Sequence, residues 1–143
     1  RMHPVHSYET SFGFLLALAT GDELVACLIG FARHHDVDGA VLHGLGDVRR
    51  LEIGQYDPER KDYIRHIFHE ALEICALTGN IALLDGEPYA HVHGVFSRSD
   101  CSTIGGHIFS AVCAEAMEIA VHTARVPLMR GPGDSSELRP MNL

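Results

Sequence analysis

Apolar residues run almost unbroken over residues 12–18, and Thr20-Gly21-Asp22 stops them. That pattern predicts a first, mostly buried strand. Beyond the stop, Leu24, Cys27, Leu28 and Phe31 recur at helical spacing, with His34 and His35 at the end, where cationic character suits the helix dipole. A helix is predicted over about 22–35. Residues 39–45 form a short apolar segment with glycines at Gly39 and Gly44, which reads as a buried strand. Val48, Arg50 and Glu52 alternate with Arg49, Leu51 and Ile53, a half-exposed strand ending near Gly54. Residues 56–62 are polar, contain Pro58 and read as a connection. Ile64, Ile67, Phe68, Ala71, Leu72 and Cys75 fall at helical spacing, so periodicity alone predicts a helix there.

The second half reads as hairpin-rich. Residues 79–84 predict a strand, and Asp85-Gly86 between apolar runs is a strong hairpin signal. Residues 89–96 are its partner strand. A polar loop at 97–103, a short element at 104–109 and an apolar run at 112–121 follow. The glycine- and serine-containing segment after Arg130 reads as a flexible tail. The expectation is one domain over 8–130 and a flexible C-terminal tail over 131–143, with no internal repeat.

Composition narrows the function classes. The chain has 143 residues, 46% apolar and 21% charged, the profile of an ordinary globular domain. No apolar run reaches membrane-span length, and the start lacks the basic region of a signal peptide. Arg1 before Met2 reads as a trimmed terminus. Eleven Lys and Arg against 19 Asp and Glu give a net charge of −8, and Lys61 is the only lysine. Binding to DNA phosphates is disfavoured on that balance. Cys27, Cys75, Cys101 and Cys113 show no C-x-x-C spacing; Cys27, Cys75 and Cys113 stand in apolar runs and are expected to be buried. A reducing, cytoplasmic setting fits free thiols.

Candidate chemistry centres on His91-Val92-His93 and Gly105-Gly106-His107. On a strand, residues i and i+2 share a face, so His91 and His93 point the same way. With 11 histidines in the chain, roughly 0.8 H-x-H pairs are expected by chance, so the spacing alone is weak evidence.

The wider block is more specific. It reads Glu73-Ile74, then Leu77-Thr78-Gly79-Asn80-Ile81, Asp85-Gly86-Glu87-Pro88, His91-Val92-His93 and Gly105-Gly106-His107. This resembles the PPC domain, the domain conserved between plants and prokaryotes. Residues 16–24 resemble that family's opening strand, turn and helix, residues 39–47 its glycine-rich second strand, and Glu118 stands where its last core strand carries a glutamate. The resemblance implies an α+β class: a curved, mostly antiparallel sheet with one main helix packed on it. It also implies a homotrimer, and strands in place of the helix that periodicity suggests over 64–75.

The family's fold is in turn similar to that of acetolactate decarboxylase, whose metal is held by three histidines. By that carry-over His91, His93 and His107 become metal ligands. Zinc is preferred because three histidines plus an open position is its usual catalytic arrangement. Glu73 and Glu118 are candidate acid/base groups, since carboxyls in apolar strands suit proton transfer. Arg98 is a candidate for an anionic substrate, and Asn80 reads as a structural residue. Plant members attach an R-G-R-P hook for the DNA minor groove; Arg130-Gly131-Pro132-Gly133 lacks its second arginine. Two functions follow as expectations. One is a trimeric metal-binding regulator, DNA-associated or partner-binding, without the hook. The other is a small-molecule zinc metalloenzyme, a lyase or hydrolase acting on a carbonyl substrate.

Overall fold

A computed structural model of the chain describes residues 5–131 and 139–143. Among them the strands are β1 (His6–Thr10), β2 (Gly13–Ala19), β3 (Ala40–Asp57), β4 (Asp62–Phe68), β5 (Leu72–Leu84), β6 (Glu87–Ser97), β7 (Thr103–Thr123), β8 (Met129–Arg130) and β9 (Met141–Asn142). One helix, α1 (Leu24–His34), lies between β2 and β3.

The long strands close on themselves. β3 pairs with β5, β5 with β6, β6 with β7, and β7 returns to β3, all antiparallel. β1 and β2 extend the sheet from β7, and β4 folds back on β3. β3 and β7 run 18 and 21 residues, well beyond the usual strand. They bend by bulges at 46–48, 48–50 and 52–53 of β3, where the register against β7 shifts.

Alternation explains the core. Ala90, Val92 and Phe96 of β6 point inward and are buried, while His93 and Val95 point outward. Leu42 and Val48 of β3 and Met117, Ile119 and Val121 of β7 join them. Leu24, Leu28 and Phe31 of α1 complete this cluster. Glu23 caps the helix by accepting from the amides of Val25 and Ala26, and it also accepts from the Ala111 amide of β7 at 3.0 Å.

The expected α+β class is corrected. Strand accounts for 66% and helix for 8%, so the domain is mostly β, and the single 11-residue helix is a minor element. The sheet is also mixed, because β8 runs parallel to β5 through Leu83 and Met129. The helical periodicity over 64–75 does not produce a helix either: β4 and the start of β5 occupy it, as the family resemblance implies. Its apolar positions share no face, since Ile64 and Ile67 are exposed while Leu72 is buried. Of the expected tail, residues 132–138 lie outside the described residues; Met129–Arg130 pairs with Met141–Asn142 across them. Cys27 and Cys113 are buried, whereas Cys75 is exposed beside the bulge at 74–76.

Candidate metal centre

The Asp85-Gly86 turn sets the site. Both residues have positive φ, 51° and 82°, the conformation of a two-residue hairpin. It pairs Leu84 with Glu87, and the register then runs back to place Asn80 opposite His91 and Thr78 opposite His93. On its other side β6 pairs His93 with His107 of β7, and His107 faces Gly54 of β3. Thr78, His93, His107 and Gly54 therefore form one row across four strands. Gly105-Gly106 is part of strand β7, where a Cβ on Gly106 would stand 2.7 Å from the Gly54 carbonyl oxygen. The glycine pair thus allows close strand approach inside the sheet.

The three imidazoles meet on the outer face of the strand ring. One ligand atom from each of His91, His93 and His107 lies within 4.8 Å of the others, the one such trio of potential metal ligands among the described residues. The Nε2 atoms of His91 and His93 stand 3.1 Å apart. Two nitrogens on a tetrahedral zinc stand roughly 3.3 Å apart, so the spacing fits. Tyr63 and Phe109 flank the His107 ring at 4.8 and 4.6 Å, and Arg65 lies 3.7 Å over Phe109. The Nδ1 of His107 is buried with no hydrogen-bond partner. A buried nitrogen that the protein alone leaves unsatisfied is what a metal site or its supporting shell would satisfy.

Electrostatics favour the neutral, ligating form of His91 and His107. Burial, then Arg130, then His93 lower the His91 pKa to about 4. Burial, then the neighbouring histidines and Arg65, lower that of His107 to about 4. The donor set is chemically suited to a borderline-soft divalent ion. A cavity of roughly 630 Å³ opens onto the rings and is lined also by Gln55, Tyr56, Tyr63 and Thr78. No described carboxylate lines it.

The other sequence candidates stand elsewhere. Glu73 is exposed near the start of β5, paired in register with Asp47 and Ser97. Glu118 is exposed in the row with Ala17 and Leu45, on a separate cavity shared with Tyr8, Leu15 and His43. Arg98 donates to the Glu70 carboxylate at 2.9 Å, and that bond raises its pKa.

Two residues not foreseen for this role belong to the site. Arg130 donates to Asn80 Oδ1 at 2.5 Å and faces His91 Nδ1 at 3.3 Å. Asn80 was signalled by the hairpin, because counting back from the two-residue turn sets it opposite His91. Arg130 carried no such signal, since it arrives from a distant strand. A second pair, His43 and His122, meets at 3.0 Å between Nε2 atoms, with Phe12 stacked on His122 at 4.4 Å.

Solved structures share this architecture across almost the whole chain. A metal-containing protein from Archaeoglobus fulgidus is 28% identical, covers 99% of this chain and 100% of its own, and superposes with a TM-score of 0.84. A provisionally named DNA-binding protein from Ralstonia eutropha is 26% identical over 96% of this chain and 95% of its own, with a TM-score of 0.89. Another provisionally named DNA-binding protein, from Bacteroides thetaiotaomicron, is 25% identical over 98% of each chain, with a TM-score of 0.92. No functionally curated protein matches the chain. The sequence pattern of the Plants and Prokaryotes Conserved domain matches residues 6–125, which takes in β1 to β7, the hairpin and all three histidines, and the chain is therefore a member of that family (PCC, also written PPC).

Proposed function

We propose that the chain is a homotrimeric metal-binding module of this family, with zinc held by His91, His93 and His107, that acts as a regulator through partner contact. The observation that carries the metal assignment is the convergence of three imidazoles beside a buried nitrogen without a partner. Three imidazoles with an open fourth position suit zinc best. Self-association is supported by a cluster of exposed apolar side chains on the outer face, beside Glu118 and His43. Tyr8, Leu15, Val41 and Leu45 lie on one side of β1, β2 and β3 and are 73%, 46%, 56% and 54% exposed. Clustered apolar exposure of this kind marks interaction sites. The four free cysteines suit a reducing, cytoplasmic setting.

Partner contact is preferred to direct DNA contact on charge. Arg33, Arg65, Arg98 and Arg139 each pair with a carboxylate, which leaves them poorly placed to neutralise phosphates. The names of the Ralstonia and Bacteroides proteins keep DNA association within the proposal, and a low-salt binding assay decides it.

A second reading, a zinc-dependent lyase or hydrolase acting on a carbonyl substrate, is favoured by the cavity over the rings. Bound zinc would polarise a carbonyl or activate water. Gln55, Tyr56, Tyr63 and Thr78 would line the substrate space. Glu73, Glu118 and Arg98 would have to act there from a neighbouring subunit, so this reading ranks second.

Metal analysis of the purified chain tests the main reading. About one zinc per chain is expected, lost in His93→Ala. Stoichiometric zinc retained by that variant overturns the ligand set.

A further inference from the structure

The C-terminal arm reaches the three histidines through one side chain. β8 attaches to β5 through Leu83 and Met129, and β9 backs it. From β8 the Arg130 guanidinium donates through Nη1 to the Arg139 carbonyl at 2.9 Å. Its Nη2 donates to Asn80 Oδ1 and faces His91 Nδ1. Its Nε is buried without a partner. A neutral His91 that accepts at Nδ1 carries its proton on Nε2, the nitrogen turned toward His93.

A metal ligand needs the opposite arrangement. Its Nε2 must present a lone pair, and its Nδ1–H must donate to an oxygen acceptor. A guanidinium has five donors and no acceptor, so it cannot receive that hydrogen. Asn80 Oδ1 can receive it, stands on the residue opposite His91, and is already engaged by Arg130. Charge acts in the same direction, because a guanidinium touching His91 repels a cation on the same ring.

We infer that Arg130 is a built-in competitor of the metal: ion and guanidinium hold alternative states of His91, and loading the site moves Arg130 away and passes the His91 Nδ1–H to Asn80 Oδ1. This rests on the three-histidine reading above. It also makes the C-terminal arm responsive to occupancy. Arg130 anchors the Arg139 carbonyl, Arg139 reaches Asp85 at the hairpin turn, and the Gly131 amide donates to the Pro140 carbonyl. Displacing one guanidinium loosens that set.

The test uses the full chain, with zinc affinity read by competition against a chromophoric chelator. Arg130→Met keeps the stem and removes the donors; it should bind zinc about tenfold more tightly than the unaltered chain. Asn80→Ala should bind roughly tenfold more weakly. If Arg130→Met binds equally or more weakly while His93→Ala has lost binding, Arg130 is not a competitor and the metal reading stands. If the unaltered chain and Arg130→Met bind no better than His93→Ala, the metal reading falls and takes this inference with it. A measurement on the unaltered chain guards against misfolded variants. Nitrogen NMR should find His91 protonated on Nε2 without metal and on Nδ1 with zinc, and zinc should speed exchange of the Gly131 amide. The same His91 tautomer in both states overturns the inference.

Discussion

His91 and His107 are the residues where position and chemistry depart furthest from an ordinary surface histidine. Both are held neutral, with pKa values lowered from 6.5 to about 4. The unfolded chain regains the ordinary value, so below pH 6.5 it binds protons that the folded chain refuses. The stability this contributes is fully present above pH 6.5 and is lost as pH falls toward 4. In chelator, the melting temperature should hold above pH 7 and fall progressively between 6.5 and 4. His107→Gln should lose less over that window; an equal loss would show that the ring is not the titrating group. Single residues were the level at which the sequence misled most. Cys75 sits in an apolar run yet is exposed, because alternation from the buried Leu72 and Ile74 turns it outward. Glu73 and Glu118 stand in apolar strands yet face outward, for alternation rather than average polarity decides which way a strand residue points.

At the scale of elements, the β5–β6 hairpin governs the site. Its register was legible from Asp85-Gly86 as far as the bulge at 74–76, since a two-residue turn fixes the pairs behind it until the ladder shifts. Gly79 is needed where β5 passes β6. A Cβ there would stand 2.2 Å from the His91 carbonyl oxygen and 2.7 Å from a Val92 methyl. Gly79→Ala should therefore separate the strands, cost about 1–3 kcal/mol in urea unfolding and weaken metal binding. Unchanged stability would show that β5 and β6 are not packed this closely. The long strands were less legible. β3 and β7 each read as two pieces, because bulges and Gly105-Gly106 break the alternation that signals one strand. Strand β1 went unread, with three of its five residues polar or charged besides His6. Arg130 could not be placed at all, since no local pattern ties residue 130 to the pairing of 80 with 91.

For the whole molecule, the closed ring of β3, β5, β6 and β7 buries one face of each strand and leaves the histidines outside. The α+β class came from the family resemblance, which counted the one helix as a main element, and the sequence pattern did not correct it, because two bent strands of about 20 residues leave only fragments of alternation. No described helix is long and apolar enough to cross a membrane. The apolar face of Tyr8, Leu15, Val41 and Leu45 is where the proposed trimer has its test. Leu45→Glu places a charge in that face and should shift the mass in sedimentation from three chains toward one. An unchanged trimer would move the interface elsewhere. The account as a whole rests on the ion at the three imidazoles, and X-ray absorption at the zinc edge of the loaded chain tests that most directly. Three imidazole nitrogens and one oxygen at roughly 2.0–2.1 Å are expected. A sulfur ligand at roughly 2.3 Å, or fewer than three imidazoles, would contradict it.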